Sequence, residues 1–344
     1  MTLISSRERV SVETIQNGVA SGGTAQQIMT EARINPGIDK VLKETRSFVG
    51  NATVLPHEVW IEMDRVILEE ANIRLVGVAD LQTPGLTKRT RGLGATVIQW
   101  QDSSNMEPAE VAMDGSTRSM RDRIEYTTKF MPLPIVFKDF SFSTREIEAS
   151  AGLSVETIDT GAAREAGRLV AEEIERMLFK GLSTYTAGGG TIYGYEDFIS
   201  RNTGSLTANW DASASTGITI RNDVANMLQS KRDDRQHGDA TLYIPTGYQK
   251  VLDDDYRANY PKSIQTRLLE LNELSSIKVA DQLTANNVVL VQLTQDNVRL
   301  VIGLDIQTIH WSTNGLTQNF KVMAVMIPNL RATQGARSGI IHYT

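Results

Sequence analysis

The chain has 344 residues, with 35 Lys and Arg against 41 Asp and Glu, a formal net charge of -6 and no cysteine. That length allows about two domains and a sizeable core, while the missing thiols exclude disulfides, thiolate catalysis and Cys-type zinc sites together. The acidic balance argues against a broad grip on nucleic acid, which needs a basic stripe.

The opening MTLISSRERVSVETIQNG carries Arg7, Glu8 and Arg9 with no apolar core behind them, and no stretch approaches the roughly 18 apolar residues of a membrane span. A soluble, unexported chain is expected. Residues 1–52 form an arm with two short helical pieces, 12–19 and 24–33, separated by SGG and ended by NPG, with too few large apolar residues for a core of its own. LPHEVWIEMDRVILEEANIRLVG then predicts a helix after Pro56, with Val59, Trp60, Met63, Val66 and Ile67 on one side.

Residues 82–123 leave the compact pattern. They hold Gly85, Gly92, Gly94 and Gly115, a strand-like ATVIQWQ, and charge in blocks: Lys88, Arg89 and Arg91, then Asp102, Glu107, Glu110 and Asp114, then Arg118, Arg121 and Arg123. A loop this long inside a compact domain points to an arm or a lid, although a solvated hairpin with ordinary surface charge fits the same residues.

In MPLPIVFKDFSFSTREIEAS, Ile135, Val136 and Phe137 form an apolar run, and Phe140 and Phe142 then alternate with Asp139 and Ser141, as on a sheet with one wet face. Ser143 followed by Glu146 has capping-box spacing, so the strand runs straight into a helix start. In GAAREAGRLVAEEIERMLFKG, Ala162, Ala166, Val170, Ile174 and Leu178, with Leu169 and Met177 beside them, make an apolar stripe; Arg164, Arg168, Glu172, Glu173, Glu175 and Arg176 make a charged face, with Glu172 and Arg176 placed to pair.

TAGGGTIYGYEDF is a turn-rich exit. A second unit follows: a helix bearing Ile220, Val224, Met227 and Leu228, the strand ATLYIP, the helix TGYQKVLDDDY, the loop RANYPKS, and the strands IKVA, NNVVLVQL and NVRLVIGLDIQTIHW, before a final extended stretch from Gln318.

Enzyme chemistry is hard to assemble from these parts. GGGTIYG lacks the Gly-Lys-Ser/Thr ending of a phosphate loop and the spacing of a dinucleotide turn. Asp253, Asp254 and Asp255 fall where a helix pattern ends and read as a solvated patch. His57, His237, His310 and His342 are scattered with no metal-binding pair, no Gly-x-Ser-x-Gly elbow occurs, and the adjacent Glu172 and Glu173 diverge on a helix. No catalytic, cofactor or metal residues are assigned.

The order of parts, and the stretches LPHEVWIEMDRVILEEANIRLVGVADLQTPG, LPIVFKDFSFSTREIEAS, AAREAGRLVAEEIERMLFKG with IYGYED, ATLYIPTGYQKVL, YPKS, IKVADQL and VRLVIGLDIQTIHW, resemble the tailed-phage major capsid protein family, and especially its encapsulin-like branch of shell proteins. The resemblance implies an α+β fold: an N-terminal arm (1–52), a peripheral domain with a long spine helix (53–81 and 124–200), an extended loop (82–123) lying over a neighbouring subunit, an inserted axial domain (201–317) and final peripheral strands (318–344). It implies a virion shell of hexamers and pentamers assembled in the host cytoplasm around DNA. A separate scaffolding protein, a portal and a decoration protein are its implied partners. The ten charged residues of 82–123 become candidates for inter-subunit contact. The long arm and loop favour a phage capsid over an encapsulin compartment with an enzyme cargo. Some relatives join a Lys to an Asn with help from a carboxylate; Lys88 and Asn329 are conceivable partners, but no Asp or Glu follows Asp305, which leaves the base unfilled.

Overall fold

A computed structural model describes residues 57–82, 85–104, 106, 108, 109, 111, 113, 123–143, 145, 161–257, 260–313, 316–333 and 335–344. The arm 1–52 and Glu146 of the expected capping box lie outside the described residues. The chain divides into two compact units, one of Met1–Ile61, Ser141–Ile158 and His310–Asn319, the other of Glu62–Phe140, Asp159–Ile309 and Phe320–Thr344.

The first helix, His57–Arg74, buries Met63, Val66, Ile67 and Ala71, continuing the expected stripe. A break at Leu75 starts a short helix, Val76–Gln82. The long helix Gly161–Lys180 buries Ala163, Ala166, Val170, Ala171, Ile174, Met177, Leu178 and Phe179. Gly167 brings the first helix close: a Cβ there would lie 3.0 Å from the carbonyl oxygen of Ile67.

Its charged face pairs along the helix, though not as the spacing suggests. Arg168 bridges Glu165 (2.5 Å) and Glu172 (3.1 Å), and Arg176 takes Glu173 (2.5 Å). Glu175, expected on the wet face, is instead buried among the core residues. The backbone N–H groups that open the short helix supply its hydrogen bonds, a partner that helical periodicity cannot reveal.

Two main sheets follow. One has the order β1 (Thr87–Arg89), β11 (Val298–Thr313), β12 (Thr317–Leu330), β4 (Val136–Ser143). On β4, Phe140 stacks on Phe320 (ring centroids 5.1 Å apart), while Lys321 sits 4.4 Å over the ring of the exposed Phe137 and 3.5 Å from Asp139. β4 therefore has the one wet face that its alternation predicts.

The other sheet has the order β5 (Asn202–Gly204), β13 (Ile340–Tyr343), β10 (Val288–Val291), β6 (Ala240–Ile244), β9 (Leu274–Val279). β6 and β10 are buried at every residue, which is why they read as unbroken apolar runs. Helices Gly217–Asp233, Thr246–Asp253 and Ile264–Leu269 contribute to the same core, with Trp210 stacked on Tyr248 at 5.3 Å. The final stretch from Gln318 is shared between the sheets: β12 joins the first, whereas β13 runs between β10 and β5 in the second. A turn at 331–339, in which the Arg337 carbonyl accepts from the Thr333 N–H at 3.1 Å, carries the chain across.

In the smaller unit, Gln318 Oε1 and His310 Nε2 meet at 2.6 Å and Ser312 Oγ donates to the Thr317 carbonyl at 3.4 Å. Ser143 Oγ accepts from the Arg145 N–H at 3.3 Å.

Candidate inter-subunit surface

β2 (Val97–Ser103) and β3 (Tyr126–Pro132) form an antiparallel hairpin in unbroken register from Val97 opposite Pro132 to Ser103 opposite Tyr126. Pleating sorts its side chains into two faces. Ile98, Trp100 and Asp102 share one face with Met131 and Lys129; Ile98 and Met131 pack with Leu133, Ile192, Val301, Val325 and Ile327. The opposite face carries Val97, Gln99, Gln101, Phe130, Thr128 and Tyr126, all exposed.

The glycine-rich exit supports the hairpin's root and is more than a plain loop. Leu182 and Ile192 bridge across it, and Gly190 lies against the β3 backbone, where a Cβ would be 3.0 Å from the Cα of Met131. Gly188, at φ 70°, faces Val97. Beside the root a cleft of about 400 Å³ is lined by Trp100, Lys129, Tyr193, Phe198, Leu330 and Arg331 among others.

The structure separates the ten charged candidates. Lys88 and Arg89 belong to β1, a strand of the subunit's own sheet, with Lys88 opposite Val301. Arg89 reaches Asp305 at 2.8 Å, both exposed; Lys88 and Arg91 are exposed as well. The first part of the expected loop thus includes a strand of the subunit's own sheet. Asp102 is 7% exposed and committed within the subunit, 2.6 Å from Lys129 and 3.9 Å from Arg331. Arg123 is exposed at the foot of the returning limb. Glu107, Glu110, Asp114, Arg118 and Arg121 lie outside the described residues.

Charge counting missed the apolar side of this segment. Met106, Val111, Met113, Ile124, Tyr126 and Phe130 are exposed, Val111 and Met113 completely. The alternation in EYTTKFM was the available signal for β3, which lies beyond the expected end of the loop at Arg123. Asn329, named for self-crosslinking, is buried on β12. His342 is buried too; its Nδ1 accepts from Arg201 Nε at 3.3 Å, and burial pushes its pKa down. Among the described residues no group of three or more His, Asp or Glu is placed to hold a metal, and no helix is long and apolar enough to cross a membrane.

Over 289 residues the chain is 22% identical to the type 1 encapsulin shell protein EncA of Myxococcus xanthus (strain DK1622), covering 83% of this chain and 93% of that protein. Among solved structures, the virus-like particle from Pyrococcus furiosus aligns with a TM-score of 0.59 and 17% identity over 82% of this chain and 98% of that one. The capsid of Myoviridae phage XM1 aligns at 0.61 and 10% identity, over 77% and 90%. The capsid of the native GTA particle aligns at 0.55 and 11% identity, over 77% and 89%. The mixed helix and sheet architecture is thus the fold of tailed-phage capsids and of this virus-like particle, as the sequence resemblance implied. Residues 50–343 match the model described as "Family of unknown function (DUF6260)", and the chain belongs to that family.

Proposed function

We propose that the chain is a self-assembling shell subunit, the major capsid protein of a tailed double-stranded DNA phage, forming hexamers and pentamers of an icosahedral shell around the genome. The carrying observation is the hairpin: its root is packed into the subunit's core, while its outward face and the limbs beyond it present Val97, Met106, Val111, Met113, Tyr126 and Phe130 to solvent. An apolar surface of this kind on a soluble protein marks an interaction site, and in a closed shell its partner is another copy of the same chain. On this reading the long helix is the spine, the five-stranded sheet with its helices is the axial domain, and the hairpin lies over the neighbour. The role is structural, with no reaction to catalyse. Scaffolding, portal and decoration proteins are separate chains, assembly takes place in host cytoplasm, and the acidic subunit encloses DNA without gripping it.

A second reading, an encapsulin compartment holding a cargo enzyme, is favoured by one observation: the match to EncA spans 93% of that protein. Negative-stain microscopy of the chain expressed alone tests the shell; closed particles or capsomers are expected, and a monodisperse 38.0 kDa monomer at micromolar concentration overturns it. Particles purified from the native source separate the two readings, since a capsid contains DNA and a compartment contains a co-packaged protein.

A further inference from the structure

A polar joint is buried in the larger unit where the long helix, the short helix and the five-stranded sheet meet. Glu175 of the long helix is 2% exposed, and its two carboxylate oxygens accept from the N–H groups of Gly77 (2.6 Å) and Val78 (3.1 Å). Those groups open the short helix, have no acceptor within it, and need one from elsewhere. The short helix leads directly to β1 and the hairpin.

Every element around this carboxyl brings a titratable group. Asp80, on the short helix, accepts from the Tyr243 hydroxyl of β6 at 2.7 Å and from the Lys278 ammonium of β9. Asp281 follows β9. Tyr195, past the end of the long helix, stacks on Tyr243 with centroids 6.0 Å apart, and Phe179 meets both rings edge-on. Among the described residues the buried Tyr195 hydroxyl has no hydrogen-bond partner, and no cation pairs with Glu175; Lys278 is taken by Asp80.

Opposing forces act on this one group. The two N–H bonds and the helix start favour the carboxylate. Burial foremost, then Asp80 and Asp281, favour the neutral acid, and the balance pushes the pKa up to about 7. Because folding raises it, the joint's stability is full below the ordinary carboxylate range and is lost as pH rises through about 7.

We propose that Glu175 is a proton-controlled lock between the long helix and the helix that leads to the hairpin: with its proton the joint is closed, and without it a buried charge that two N–H bonds offset only in part loosens the start of the short helix. The lock belongs to the subunit and does not rest on the shell reading.

The test is amide hydrogen exchange of the segment 75–82 in the full-length chain, corrected for intrinsic base catalysis, across about pH 6 to 8.5. In the wild type, protection should fall at least about threefold on crossing neutrality, and in Glu175→Gln it should stay level. A level wild-type profile, or the same step in both proteins, overturns the proposal. Should Glu175→Gln fail to fold, Asp80→Asn decides: removing the neighbouring negative charge and freeing Lys278 must move the step to lower pH, and a step that stays in place refutes the lock.

Discussion

Gly190 rests against the backbone of Phe130 and Met131, so closely that a Cβ at residue 190 would sit 3.0 Å from the Met131 Cα and closer still to the Phe130 carbonyl. Backbone cannot yield as a side-chain tip does. Gly190→Ala should therefore cost about 1 to 3 kcal/mol through overpacking and displace the hairpin root. Gly189→Ala meets nothing within 4 Å, and its only penalty is the strain of φ +81°, about 1 kcal/mol. Denaturant unfolding of both variants checks the order; a costlier Gly189→Ala would show that the root contact does not hold the hairpin.

Asp102 pairs with Lys129 within the hairpin and with Arg331, the residue just past β12. Asp102→Ala leaves Lys129 and Arg331 without this carboxylate. Because Lys129 is half exposed, the loss should lie near the lower end of the range for charged hydrogen bonds, about 1.5 kcal/mol. Asp102→Asn keeps the shape and removes the charge, so it should lose nearly as much as Asp102→Ala. Full recovery of stability in Asp102→Asn, by thermal unfolding, would exclude the ionic account.

The fold was legible wherever a periodic pattern coincided with burial. Ile220, Val224, Met227 and Leu228 spell one helix face, and the doubly covered strands ATLYI and VVLV stand out as apolar runs. Partners that come from far along the chain were not legible. Glu175 reads as helix-surface charge because its acceptor role depends on Gly77 and Val78, some hundred residues earlier. Arg89 and Asp102 read as arm charges for the same reason, since Asp305 and Arg331 lie more than 200 positions away. The glycine exit reads only as turn-rich because nothing local shows that Phe130 approaches it. Charge blocks are more conspicuous in sequence than Tyr126 and Phe130 separated by polar residues, so the exposed apolar side chains of this segment were not legible.

If the hairpin is covered by another copy, its methionines report it. Met113 is fully exposed and Met106 more than half exposed in the subunit, so dilute peroxide should convert both to sulfoxide rapidly in unassembled chains. In assembled particles the reaction at one or both should slow by about tenfold or more, while the buried Met177 and Met227 stay protected in either state. Equal rates before and after assembly, by peptide mass spectrometry, would place this segment outside the contact.

The most direct test removes the outer part of the arm and keeps its root. Cutting at Gln82 would delete β1, which pairs with β11, and Ile98, which is part of the core, so such a variant should misfold for reasons unrelated to assembly. Joining Ser104 to Glu125 by a short turn keeps β2, β3 and their register. The described residues that it removes are exposed, and loop shortening changes closure entropy by only about 0.6 kcal/mol per halving. Circular dichroism and unfolding should then match the wild type, while particle yield by sedimentation falls sharply. Reversal of Lys88, Arg89 and Arg91 to Glu is the companion variant. It breaks the exposed Arg89 to Asp305 pair, worth about 0.2 to 1 kcal/mol, and should lower yield more at low salt than at high salt because screening weakens repulsion. Normal particles from the shortened hairpin would show that the apolar limbs are not the inter-subunit contact; a salt-independent loss in the reversed variant would show that its charges act within the subunit alone.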